Sequence, residues 1–263
     1  YYCGSNTTTT DEMYSLGGDW NSAEDVAGQC FNGTYCPSAM TRAPDLLRDA
    51  CPTGYYCPTA TPLPIACPAG TYNPVTGADD IDDCLETPKG FYTIAGASNY
   101  TQQCSPGYYC PVGSTGSREV PCPERFYLPD YGGGSLLDCA LCTSGGYCDI
   151  GTANPEICPQ GYYCSTGVAR PEPCRPGTYG NASGLRRTED CTSCPAGSYC
   201  DGYGLTAPRG LCDPGYYCFE KAWTSAPHAP GSTLSQLDEP SVIGGLCPAG
   251  GYCPLGSTAP KSC

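Results

Sequence analysis

The pattern Cys-x2-Gly-x-Tyr-Cys occurs eight times in this chain, and no other feature restricts its fold as strongly. The copies run Cys30–Cys36, Cys51–Cys57, Cys104–Cys110, Cys142–Cys148, Cys158–Cys164, Cys194–Cys200, Cys212–Cys218 and Cys247–Cys253. A longer motif opens in the same way, as CPAGTY at Cys67, CPERFY at Cys122 and CRPGTY at Cys174. Its next cysteine lies seventeen positions on, at Cys84, Cys139 and Cys191, and Asp83, Asp138 and Asp190 precede those three. Arg125 stands at the glycine position of the middle copy. Motifs alternate short, long, short from Cys51, Cys104 and Cys158, with the next short motif at Cys212, so the spacings are 53, 54 and 54 residues. A near-constant period means stacked copies of one supersecondary element, each touching mainly its neighbours.

The period divides the chain into six segments. Residues 1–29 hold the end of an upstream repeat and a Thr-rich insertion, and 30–50 form a single short repeat. Triplets occupy 51–103, 104–157 and 158–211, and terminal repeats with an insertion at 219–246 fill 212–263. Tyr1-Tyr2-Cys3 matches the end of a short motif and Cys263 the start of another, as expected of a segment from a longer array.

Large core-forming residues are scarce: Leu, Val, Ile and Phe together number 32 of 263, against 24 Cys, 35 Gly and 28 Pro. A chain this poor in apolar bulk does not offset its conformational entropy by burial alone, whereas disulfides stabilise folds whose cores are thin. The expected fold is therefore small and disulfide-rich, an elongated repeat array of short β-hairpins and loops with little helix and no large hydrophobic core. The helix-like exceptions are Ala43–Ala50 and Ser22–Gly28. Cysteine at this density fits an oxidising compartment, secreted or on a cell surface or appendage. No stretch approaches 18 consecutive apolar residues, so no membrane span is expected in this segment. A net charge of −14 with 12 Lys and Arg lacks the basic footprint of a nucleic-acid binder.

One degenerate motif bears on the cysteine pairing. Thr87-Pro-Lys-Gly-Phe-Tyr-Thr93 matches the short pattern with both cysteines replaced by threonine. Partners in a disulfide are lost together, because a survivor would be a free thiol. This favours bridges within motifs: the eight short pairs given above, plus Cys67–Cys84, Cys122–Cys139 and Cys174–Cys191, leaving Cys3 and Cys263 over. A rival scheme joins sequence neighbours in order, Cys3–Cys30, Cys36–Cys51 and onward to Cys253–Cys263, and leaves none over.

Chemistry-bearing residues are few. His228, the single histidine, sits in a Pro/Ala-rich stretch and is poor material for acid–base or nucleophilic catalysis, so no enzyme is expected. Cys139-x2-Cys142 and Cys191-x2-Cys194 have zinc-ligand spacing, but the same cysteines obey the disulfide repeat. Asp79, Asp80, Asp82 and Asp83 form a carboxylate cluster, a weak candidate for structural calcium and otherwise a solvated loop in which Asp83 bonds the turn backbone. No other cofactor is expected. Asn6, Asn32, Asn99 and Asn181 open N-x-S/T sequons, expected to carry N-linked glycans. The 22 tyrosines suit packing, with the ring before each closing cysteine placed to lie on the disulfide or the next repeat; a tyrosine-lined surface for sugars or a partner is the functional alternative.

The CPxGTY…C-x2-C-x2-G-x-YC alternation over residues 30–263 resembles the cysteine-rich repeats of the ephrin-receptor-like class and, more distantly, tumour-necrosis-factor-receptor modules. The resemblance implies an elongated extracellular fold, and long GYYC arrays look most like those of mastigoneme-type flagellar-hair glycoproteins. The function expected is structural: a rigid rod that assembles with copies of itself, or with another filament protein, into a filament, coat or appendage. The alternative is the ligand-binding stalk of a surface receptor or a protist surface antigen.

Overall fold

The computed structural model describes residues 2–3, 27–28, 30–37, 44–45, 47–227 and 243–263. They form two compact units, one of Tyr1–Cys122 with Leu128–Cys139, the other of Pro123–Tyr127 with Ala140–Cys263. The architecture throughout is a disulfide-rich array of two-stranded antiparallel hairpins, twelve among the described residues.

Each hairpin grows from a tight turn. In the repeat opened by Cys51, Tyr55 N–H donates to Pro52 O at 3.2 Å, and Gly54 inside this turn has φ 84°. Glycine takes that left-handed backbone without the side-chain clash other residues meet. The two residues after the glycine, Tyr55–Tyr56, then pair with Ile65–Ala66, the two residues before the next motif. The same register recurs from Thr71–Tyr72 with Leu85–Glu86 to Gly251–Tyr252 with Lys261–Ser262. Strands of two or three residues do not hold by themselves, so their stability comes from what joins one repeat to the next.

That joint is a backbone ladder centred on the motif glycine. In the first unit, Gly33, Gly54, Gly70, Gly90 and Gly107 donate their N–H to the carbonyls of Cys57, Asn73, Thr93, Cys110 and Leu128, each in the following repeat. The carbonyls of the same five glycines accept from the opening residues of those repeats, Cys51, Cys67, Thr87, Cys104 and Cys122. In the second unit Arg125, Gly145, Gly161, Gly177, Gly197 and Gly215 do the same, donating to Cys148, Cys164, Gly180, Cys200, Cys218 and Cys253. A second row of positive-φ residues adds another rung: Gly77, Gly96 and Gly113 donate to the opening carbonyls of Cys51, Cys67 and Thr87, and Gly167, Gly184 and Gly204 to those of Cys142, Cys158 and Cys174.

The interior is sulfur. Cys30, Cys51, Cys57, Cys67, Cys104, Cys110 and most other cysteines are fully buried, accompanied by small or isolated apolar groups such as Ala78, Leu128 and Ala222. Larger apolar side chains, among them Leu63, Leu137, Ile150 and Ile157, are exposed. In the long repeats, where the closing cysteine is delayed, its place is taken by Asn73, Leu128 or Gly180. Asn73 is fully buried and donates its side-chain amide to Tyr55 O at 2.9 Å.

Neither helix candidate is a helix among the described residues. Within Ala43–Ala50 a single turn forms, with Asp49 N–H donating to Asp45 O and the Asp45 N–H held by the Asp49 carboxylate at 2.8 Å. Ala50 then bridges Thr34, because the chain must arrive at Cys51 in register for its N–H to reach Gly33 O. Ala27–Gly28 is a strand paired with Tyr2–Cys3, and 22–26 lie outside the described residues. The helical structure among the described residues is three single 3-10 turns, Ile81–Asp83, Leu136–Asp138 and Thr188–Asp190, one in each long repeat.

Candidate functional site

The features that could carry function are set by the repeat: its bridges, the turns of the long loops, the tyrosines, and the sequon loops. The bridges among the described residues join residues six or seventeen apart. The shorter are Cys30–Cys36, Cys51–Cys57, Cys104–Cys110, Cys142–Cys148, Cys158–Cys164, Cys194–Cys200, Cys212–Cys218 and Cys247–Cys253. The longer are Cys67–Cys84, Cys122–Cys139 and Cys174–Cys191. Cys139, Cys142, Cys191 and Cys194 are thus each in a disulfide, and none offers a thiolate to zinc. Cys263 is an exposed free thiol whose N–H reaches Gly250 O at 3.3 Å, the contact that the opening residues from Cys51 to Cys247 make with the motif glycine, or Arg125, before them. Cys3 pairs with Ala27 in the register by which Cys218 pairs with Gly244.

The degenerate motif is repaired by a hydrogen bond. Thr87 and Thr93 are buried, and their hydroxyls lie 2.6 Å apart where the other short motifs have a disulfide. Thr93 Oγ1 also donates to Thr71 O at 3.0 Å, so neither hydroxyl is buried unsatisfied.

The carboxylates of the long loops serve the 3-10 turns. Asp83 Oδ2 accepts from the N–H groups of Asp79 and Asp80 at 2.9 and 3.2 Å, and Asp80 accepts from Asp82 N–H at 3.1 Å. Asp79 receives the Asn32 side-chain amide. Asp138 repeats the role of Asp83, accepting from Gly134 and Ser135 N–H at 2.9 Å each, and Asp190 accepts from Arg186 N–H at 2.8 Å. Donation from the Gly134 backbone holds the Asp138 carboxyl below its ordinary value of 3.8, and donation from Arg186 does the same for Asp190. The aspartate preceding each delayed cysteine is therefore a turn cap, and Asp79, Asp80 and Asp82 surround one such turn. Among the described residues no three His, Cys, Asp or Glu side chains converge as metal ligands.

The two tyrosine positions of a motif do different things. The first packs on the second-row glycine two repeats onward: the Tyr55 hydroxyl lies 3.3 Å from where a Cβ on Gly96 would sit, and Tyr162 stands likewise at Gly204. The second, before the closing cysteine, faces its own hairpin partner, and at Tyr199 it also packs on the Cys212–Cys218 bridge of the next repeat. Tyr147 and Tyr163 face Glu156 and Glu172 in the strand register. Tyr147 donates its hydroxyl to Glu156, and the bonds to Glu156 and Glu172 raise both phenols above their ordinary value of 10.0. The paired glutamates were not singled out from the sequence, though their place two residues before an opening cysteine identifies them once the hairpin register is known.

Three sequons lie within the described residues. Asn32, Asn99 and Asn181 are all exposed. Asn6 and His228 fall outside the described residues. Asn99 belongs to the hairpin loop between Phe91–Tyr92 and Gln102–Gln103, and Asn181 opens the third long loop, its carbonyl accepting from the Gln160 amide at 3.2 Å. No described helix is long and apolar enough to cross a membrane.

Neither the protein-family models nor the curated proteins with which the sequence was compared match it. What defines the chain is its own repeat: it is a cysteine-rich repeat array of stapled hairpins.

Proposed function

We propose that this chain is a structural glycoprotein of the extracellular space, a stiff disulfide-stapled scaffold that assembles with copies of itself into a filament, coat or appendage. The observation that supports this reading best is the ladder. Each repeat commits both backbone groups of its motif glycine to the next repeat, so the same bonding extends through any number of repeats without a new core. Dense disulfides agree with an oxidising compartment, and exposed sequons with a glycosylated surface. The resemblance of the motif spacing to ephrin-receptor-like repeats, and of the GYYC arrays to mastigoneme-type filament glycoproteins, supports the same reading.

Negative-stain microscopy of native material, with sedimentation across a concentration series, tests the proposal. Regular fibres or sheets are expected. Monodisperse monomers under every condition, together with saturable binding of a soluble ligand, would replace it with the receptor-stalk reading.

A further inference from the structure

We propose that the sequons within the described residues are not equivalent acceptors: Asn99 and Asn181 take an N-linked glycan in the folded chain, whereas Asn32 takes one only while the Cys30–Cys36 ring is open. The proposal rests on the extracellular-glycoprotein reading above. Its co-reactants are an oligosaccharyl transferase and a polyprenyl-pyrophosphate-linked oligosaccharide. The asparagine Nδ2 forms a bond to the anomeric carbon, the bond from that carbon to the pyrophosphate oxygen breaks, and the pyrophosphate leaves with the electron pair. The amide proton passes to a base on the enzyme. The enzyme must therefore reach both the amide and the sequon hydroxyl two residues on.

At Asn32 both groups are engaged. The sequon lies inside a disulfide ring whose ends are six residues apart. Its middle residue, Gly33, has φ 77°, and a Cβ there would stand 2.5 Å from Gly77 O, so the backbone is clamped against the long repeat two onward. The Thr34 hydroxyl is 0% exposed and donates to Phe31 O at 2.7 Å. The Asn32 amide itself donates to Asp79. A glycan on this nitrogen would have to displace that contact, and an enzyme reading Thr34 would have to break the motif turn.

The other two sequons are built the opposite way. In Asn99-Tyr100-Thr101 the middle residue is the anchor: the Tyr100 ring packs edge-on to Tyr72 and Phe91, with centroids 4.9 and 5.3 Å away. Asn99 and Thr101 on either side are exposed. In Asn181-Ala182-Ser183 all three residues are exposed, and the hydrogen bond from Gln160 is taken by the Asn181 backbone carbonyl, which leaves the side-chain amide out of that contact. Neither sequon lies within a six-residue cysteine ring.

The test uses the oxidised chain prepared without glycans. It is incubated with purified oligosaccharyl transferase and lipid-linked oligosaccharide, beside the same chain reduced and alkylated, and each site is counted by peptide mass spectrometry. In the oxidised chain Asn99 and Asn181 become modified, and Asn32 lags by about tenfold or more, the penalty of opening a buried hydrogen bond before each transfer. In the reduced chain the three converge. A Cys30→Ser/Cys36→Ser variant, oxidised elsewhere, raises Asn32 alone. Equal modification of Asn32 and Asn99 in the oxidised wild type overturns the proposal, as does loss of Asn99 and Asn181 modification on oxidation. These outcomes are independent of where the protein resides. A glycan-free native protein showing the same order in vitro would instead count against the glycoprotein reading and leave the ranking intact.

Discussion

Replacing Thr87 and Thr93 together by cysteine should restore the bridge this motif lacks. The two side chains already meet, with hydroxyls 2.6 Å apart in a buried site. The short motifs that carry a disulfide hold their ends 5.7–6.0 Å apart at Cα, within bridging range. In the loop-entropy model a ring of this size stabilises by about 2.4 kcal/mol. Loss of the hydroxyl pair offsets about 1 kcal/mol of that. The net gain of about 1.4 kcal/mol corresponds to roughly tenfold slower exchange at amides that open locally. Those to follow are Thr87, Gly70 and Gly113, which bond Gly70 O, Thr93 O and Thr87 O. Mass spectrometry under non-reducing conditions should show the loss of two hydrogens and no alkylation at either position. Each single cysteine variant should be less stable than wild type, since it breaks the hydroxyl pair and closes nothing. Two alkylatable thiols in the double variant, or faster exchange than in either single variant, would refute the argument that this motif is a disulfide motif with its bridge replaced.

Gly54→Ala should destabilise its repeat by about 2 kcal/mol or more, because a left-handed φ is joined to a forbidden approach, the new Cβ lying 2.3 Å from Gly96 O. Gly113→Ala, at φ 78° but with nothing within 4 Å, should cost only the backbone term of about 1 kcal/mol; similar losses in the two variants by thermal unfolding would discount the inter-repeat contact. Arg125→Gly should stabilise by about 1 kcal/mol, since arginine there holds φ 76° at a site whose equivalents are glycine. Asp138 and Asp190 have depressed carboxyl values, so their stabilisation is complete above the unfolded value near 3.8 and is lost as pH falls through the lower folded value; the Gly134 and Arg186 amide resonances should titrate below 3.8, and midpoints at or above it would contradict the capping role. Glu156→Gln should lower the Tyr147 phenol toward 10.0 in a difference titration, as expected for a group whose stabilising bond holds below 10 and is lost as pH rises through the raised value.

The hairpin array was legible because its determinants are local and recur. Cysteine and glycine at fixed spacing define the turn, and the scarcity of Leu, Val, Ile and Phe rules out an apolar interior. The degenerate Thr87–Thr93 motif pointed to bridges within motifs, though it gave no hint that the two hydroxyls would bond each other. Other features depend on contacts absent from any single repeat. The second glycine row is broken in sequence by Ala60 and Lys221, which adopt φ 66° and 63° in the same role, so it becomes visible only through its bonds to the preceding repeat. Asp83 stands out in sequence by its place before the delayed cysteine, whereas the part of Asp80, which caps the same 3-10 turn by accepting from Asp82 N–H, shows only in the structure. Ala43–Ala50 reads as helix-like in sequence, but among its described residues the register demanded by Cys51 and Gly33 overrides that. The difference between Asn32 and Asn99 is likewise invisible to the sequon pattern, since it arises from what the flanking residues touch.

The most direct measurement is hydrogen exchange on the intact chain before and after complete reduction and alkylation. If the disulfides replace an apolar core, the N–H groups of Gly54, Gly70, Gly107, Gly161 and Gly197 are protected in the oxidised chain and exchange at open-chain rates once the sulfur bonds are cut. Protection of those five amides that survives reduction would mean that the ladder between repeats stands without the bridges, contradicting their role in place of an apolar core.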